Sequence, residues 1–189
     1  MKTEKDILLR RIANHLILHS IDMEDIGLFH GKMGVVLFFA QYARYTGLTI
    51  YDDFAGELLE EICENIPETL PINLETGLCG IGWGIEYLIQ NGFMEGDSNE
   101  ILAEIDQKVM ERDLLRIKDL SLETGLMGIS CYIRSRLRSN KNMHIFDNRY
   151  LYDWKSSVSI ADIVEDNCIL KCIVKINQFR LVGLNKNVI

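Results

Sequence analysis

The sequence predicts an all-α protein built as two layers of helices, and three observations carry that reading. An octapeptide recurs: Leu74-Glu75-Thr76-Gly77-Leu78-Cys79-Gly80-Ile81 and Leu122-Glu123-Thr124-Gly125-Leu126-Met127-Gly128-Ile129 agree at seven of eight positions, 48 residues apart. Segments that are apolar nearly all round alternate with amphipathic ones. Each apolar segment opens on glycines, and the first two close at Thr46-Gly47 and Asn91-Gly92, the punctuation of helix ends.

The elements follow in order. Ile7, Leu8, Ile12 and Leu16 fall on one face of a helix. Asp25 to Gly34 holds Gly27, Gly31 and Gly34; Gly27 lies 50 residues before Gly77, which pairs Gly27 with Gly77 and Gly34 with Gly84. From Gly34 to Tyr45 the only charge is Arg44, so that helix is buried on most sides. Phe54, Leu58, Leu59, Ile62 and Ile66 mark an amphipathic helix whose start is signalled by Asp52-Asp53. Gly77 to Gly92 is apolar except for Glu86. Ile101, Ile105 and Val109 mark the next amphipathic helix, opened by Asp97 with Glu100 three residues on. A third glycine start follows at Gly125, with Tyr132 where a glycine is expected. Three units of about 49 residues place the chain among helical repeats, each unit burying its apolar face against its neighbours.

After Ser139 the pattern weakens. Phe146–Trp154 and Ser159–Ile176 read as helices, although Cys168–Val174 is β-branched enough for a strand. Residues 1–145 are assigned to the repeat domain and 146–189 to a C-terminal helical extension of it.

Composition narrows the function classes. With 189 residues, 48% hydrophobic and 25% charged, 2 prolines and 14 glycines, the chain is neither disordered nor a linker protein. A net charge of −8 argues against nucleic acid as a partner. The longest run without a charge, Met33–Ala43, falls well short of the roughly 20 residues that span a bilayer. The N-terminal segment, broken by Arg10 and Arg11, does not read as a signal peptide, so the expected location is the cytoplasm. Five cysteines, an odd number with no Cys-x-x-Cys, fit reduced thiols.

The glycine strings Gly27-Leu28-Phe29-His30-Gly31-Lys32-Met33-Gly34 and Gly77-Leu78-Cys79-Gly80-Ile81-Gly82-Trp83-Gly84 resemble those of the lanthionine synthetase C-like (LanC-like) proteins over about residues 5 to 140. The resemblance implies an α/α toroid, here partial and double-layered with about three helical hairpins in place of the family's seven. It also implies a role in lanthionine-type peptide modification. The family's cyclases add cysteine thiols to dehydrated residues with a zinc held by two cysteines and a histidine, in Trp-Cys-x-Gly and Cys-His-Gly segments. Neither string occurs in this chain.

Candidate site residues cluster around the glycine starts. His30, Cys79 and Cys131 are ligand types for zinc, and three such groups would leave a position for a substrate thiol. Their differing offsets from the unit glycines, with no close ligand pair among them, favour the cysteines as core residues. The acids Asp25, Glu75 and Glu123 precede each unit glycine by two residues. They suit a cationic peptide or proton transfer, but better a capping role shared with Thr76 and Thr124. Glu86, alone in an apolar helix, is either a lining carboxylate or half of an ion pair with Arg44 or Lys32. Trp83 and Tyr87 read as core, as do Met33, Met94 and Met127. His144 reads as exposed, and Cys168 with Cys172 as a weak ligand pair. No Gly-x-Ser-x-Gly or Walker A string occurs.

The candidate pocket is therefore the inner-helix N-termini with His30, Lys32, Glu75, Cys79, Trp83, Glu86 and Glu123, with no metal assigned. The expected function is a non-catalytic LanC-like protein that binds a peptide or a modifying enzyme without a cofactor. The alternatives are a zinc-dependent thioether cyclase using His30, Cys79 and Cys131, or a carbohydrate-acting toroid using Glu86 with Glu75 or Glu123. Apolar helices left uncovered at the ends of a short stack also suit a homodimer.

Overall fold

The computed structural model describes residues 4–139, 145–158, 165, 168–171 and 173, and all regular structure among them is helical. The elements are α1 (Glu4–Ser20), α2 (Lys32–Thr46), α3 (Thr49–Glu64), α4 (Leu78–Gln90), α5 (Ser98–Ile101), α6 (Ala103–Met110), a single 3-10 turn at Leu114–Arg116, α7 (Leu126–Ser139) and α8 (Asn148–Ser157). Cys168–Lys171 is helical too, so the strand alternative for that stretch is not taken up at its described positions. His144, Cys172 and most of Ser159–Ile176 lie outside the described residues.

The apolar helices stand side by side, α2 against α4 and α4 against α7. Amphipathic helices cover them: α1 and α3 lie on α2, and α6 lies on α4. Burial follows the periodicity, with Ile12, Ala13 and Leu16 inward on α1 and Ala55, Leu58 and Ile62 inward on α3. The Phe54 ring meets Phe39 edge-on at 4.9 Å, an aromatic contact that adds to the area buried. Small residues bring α4 close to both neighbours. A Cβ at Gly82 would lie 2.6 Å from the Tyr132 ring, and one at Gly84 would overlap Met33.

The loops before α2, α4 and α7 share one geometry, and it corrects the register of the first unit. Lys32 N–H donates to the Asp25 carbonyl (2.8 Å), Leu78 N–H to that of Pro71 (2.9 Å) and Leu126 N–H to that of Asp119 (2.9 Å). Gly31, Gly77 and Gly125 are thus equivalent, as are Gly34, Gly80 and Gly128. Pairing Gly27 with Gly77 is four residues out, since the counterparts of Gly27 are Asn73 and Ser121. Phe38, Gly84 and Tyr132 then share a position, so Gly84 is the exception there and Tyr132 is not. Gly84 is small because Met33 packs onto it.

Helix ends are partly as the residues suggest. Gly47 takes a left-handed φ of 70° after α2, and Asp97 accepts from the Asn99 N–H at the start of α5. The capping role given to Asp25, Glu75, Glu123, Thr76 and Thr124 is not what they do. α2 and α4 have Gly31 and Gly77 at their N-caps with no side-chain cap bond. Asp25 Oδ1 instead accepts from Gly27 N–H (2.7 Å), Thr76 Oγ1 donates to Asn73, and Thr124 Oγ1 donates to Asp119. The side chains tie each loop to itself, because a loop carbonyl already occupies the first helical amide. Likewise α3 begins at Thr49, with Asp52 inside its first turn and not at its start.

Candidate functional site

Successive loops interlock through a repeated backbone contact. The N–H groups of Leu28 and Phe29 both point at the Glu75 carbonyl, at 2.8 and 3.1 Å. One unit on, Leu74 and Glu75 point at the Glu123 carbonyl, at 3.2 and 3.0 Å. Two consecutive amides converging on one oxygen form a nest, an arrangement suited to any partial negative charge. Beside each nest a leucine enters a space that only glycine leaves open. A Cβ at Gly80 would lie 2.9 Å from that of Leu28, and one at Gly128 would lie 2.7 Å from that of Leu74.

Side chains gather on this loop end. His30 Nε2 sits 3.4 Å from Glu75 Oε1, with 39% and 26% of the two side chains exposed. Lys32, in the first turn of α2, is only 5% exposed, and its ammonium pairs with Glu61 of α3. The equivalents of Lys32 are Leu78 and Leu126, so a charge stands where the other two units bury a hydrocarbon. Next to it opens a cleft of about 530 Å³ lined by Glu24, Asp25, Lys32, Glu61, Asn65 and Thr76, with walls from Met23, Ile26, Pro67, Leu70 and Pro71.

The other candidate residues do not share that mouth. Cys79 and Cys131 are buried and in no disulfide; burial first, then the charges of Asp106 and Cys131, pushes the Cys79 thiol far above its ordinary range. A thiol so protonated is a poor ligand or nucleophile, and His30 turns to Glu75. Among the described residues no group of three His, Cys, Asp or Glu is placed to hold a metal ion. Trp83 is wholly buried and stacks on Tyr87 at 5.4 Å. Glu86 lies eight residues beyond Leu78, about 12 Å further along the helix axis, and has no exposed surface. Glu123 is exposed in the third loop.

Glu86 pairs with Arg136, and not with Arg44 or Lys32. Arg136 Nη1 is 2.6 Å from Glu86 Oε2, and Nη2 is 2.7 Å from Asp106 Oδ2. Tyr132 Oη donates to Asp106 Oδ1 at 2.6 Å, and Ser98 Oγ accepts from Arg136 at 3.0 Å. Burial alone would lower the Arg136 pKa, but the hydrogen bonds it donates to Asp106 and Glu86 keep it charged and raise it. The hydroxyl of Tyr132 is pushed up by burial and then by Asp106. No buried side-chain nitrogen or oxygen among the described residues lacks a partner. Arg44 instead lies over the Phe93 ring at 3.5 Å and donates to the Asn91 carbonyl at 2.8 Å.

Sequence reasoning passed over Arg136, Asp106 and Glu61. The first stands between Arg134 and Arg138 in a basic stretch, and the others stand on amphipathic helices rich in acids. No protein-family model matches the chain, and no curated protein or solved structure matches it. Among the described residues no helix is long and apolar enough to cross a membrane.

Proposed function

We propose that the chain is a LanC-like helical-repeat protein, a partial double-layered α/α toroid, that binds a basic peptide segment at its glycine-loop end and performs no chemistry on it. The cleft beside Lys32 carries this reading. Its ionisable lining sets three carboxylates (Glu24, Asp25 and Glu61) against one ammonium (Lys32). Aliphatic walls beside those carboxylates suit the stem of a lysine or arginine side chain with its charge at the tip. A role in peptide modification, as a carrier for the substrate of a partner enzyme, rests on the resemblance of the glycine strings. Non-catalytic binding is supported by the state of the candidate reactive groups. Cys79 is buried and held protonated, and Glu86 is enclosed and neutralised by Arg136.

Fluorescence anisotropy with a labelled lysine-rich decapeptide and a glutamate-rich control tests this. The basic peptide binds and weakens with salt, as expected for exposed charges. Glu24→Gln weakens it by about twofold to fivefold, the effect of one rim charge. Lys32→Leu, which frees Glu61, tightens it. Equal binding of the two peptides, or no response to Glu24→Gln, overturns the reading.

A further inference from the structure

α1 carries the one pair of histidines at helical spacing in the sequence, His15 and His19. Residues four apart lie one turn above each other on the same helix face, and the two imidazoles meet ring to ring, with centroids 3.9 Å apart. Their face is turned away from the core. Ile12, Ala13 and Leu16 are buried, whereas His15 is half-buried and His19 is exposed.

The hydrogen bonding of His19 decides which of its nitrogens can serve as a ligand. Nδ1 lies 2.9 Å from the His15 carbonyl oxygen. A carbonyl only accepts, so Nδ1 carries the proton and the lone pair of the neutral ring is on Nε2. A ring held in this way, by a bond from its other nitrogen to a backbone carbonyl, is the usual support of a metal-bound imidazole. Rotation of the His15 ring about its soft terminal torsion brings one of its nitrogens toward the same point. His19 also stands in the last turn of a 17-residue helix, whose carbonyl end favours positive charge. The opposing charge on that face is Arg11, one turn before His15, and it is exposed and screened by water.

We infer that His15 and His19 chelate a divalent transition-metal ion of the class that imidazole binds: zinc, nickel or copper. Two nitrogens at about 2.0 to 2.1 Å from the ion leave its other positions to water, which makes it exchangeable. Among the described residues no third His, Cys, Asp or Glu joins them. No residue of α1 lines the cleft at Lys32, so either proposal stands if the other fails.

The test titrates the full chain with nickel(II) alone, because the exposed thiols of Cys63 and Cys168 would react with copper(II). Calorimetry should show one site in the micromolar range. His15→Ala combined with Asn14→His keeps four histidines and changes only exposed or half-buried positions, but it sets the pair five apart, on different faces. Affinity should fall about tenfold or more. In the wild type, nickel should broaden the ring-proton resonances of His15 and His19 before those of His30. It should also raise the urea midpoint of the wild type and not that of the variant, since only the folded helix presents the chelate. No binding below about 1 mM, equal affinity for the variant, broadening that begins at His30, or a midpoint unmoved by saturating nickel overturns the inference.

Discussion

α4 is held at its two ends by opposite means. At its start the backbone does the holding: loop amides reach the next carbonyl, and Leu28 and Leu74 pack where Gly80 and Gly128 leave room. Toward its end side-chain charge does it, through Glu86, Arg136 and Asp106. The first device needs only glycine and a leucine, so it recurs at both junctions between the three loops. Among the described residues the buried ion cluster occurs once. The positions equivalent to Glu86 are Ala40 and Arg134, and α2 reaches the end of α4 through Arg44 on the Asn91 carbonyl instead. Repetition thus supplies a general docking geometry, and the unique charges fix one particular neighbour, α7, in place.

Breaking the charged end should have the largest effect. Arg136→Met strands two buried carboxylates, and the loss of one partner of a buried pair costs about 3 to 5 kcal/mol. Urea denaturation reads this directly. Arg136→Lys should recover little, because an ammonium cannot span both carboxylates as the planar guanidinium does. A loss under about 1 kcal/mol would mean the cluster is incidental to how α4, α6 and α7 assemble.

The loop end gives a sharper internal contrast. Leu74→Ala removes a knob from its hole and should cost about 2 to 5 kcal/mol. Leu122→Ala, the same change in the same octapeptide, should cost about 1 kcal/mol or less in the isolated chain, since Leu122 has no hole to leave. Equal losses by urea titration would show that the third loop is as enclosed as the second, although Leu122 is only half-buried there.

The charged end also has a pH signature. Tyr132 keeps its proton more tightly in the folded state, so its contribution is complete below the ordinary tyrosine pKa of about 10. Above that pH the unfolded chain releases a proton that the folded chain holds, and stability falls as pH rises. The urea midpoint of the wild type should drop between about pH 9.5 and 11, and that of Tyr132→Phe should drop less. Parallel curves would remove Tyr132 as the cause and leave Tyr150 and the Cys79 thiol, both also pushed up by burial.

How far the sequence speaks depends on the same contrast. The repeated Leu-x-x-Gly-x-x-Gly strings make the helix order and the second and third loops legible, because a backbone device leaves the same residues each time. The first loop misleads, since Gly27 and Gly31 are four apart and Gly27 precedes a leucine as Gly77 does. The deciding signal is Leu28, three residues before Gly31 as Leu74 is before Gly77. The Glu86 partner is not legible at all. Asp106 and Arg136 lie 20 and 50 residues away, each among like charges on its own helix, and only the packing of α6 and α7 selects them.

The smallest effect belongs to the contact of His30 with Glu75, which bridges the first two loops at the surface. His30 and Glu75 stand 3.4 Å apart with both side chains partly in water, and the backbone bonds from Leu28 and Phe29 to the Glu75 carbonyl run beneath them. An exposed pair of this kind contributes at most about 1 kcal/mol, and salt screens it. His30→Gln should therefore shift the urea midpoint only slightly. A larger loss would mean that the imidazole, and not the backbone ladder, holds the first loop on the second. The two loops would then be joined by side chains after all, and the second loop, with Thr76 in the place of His30, would be held on the third by a different means.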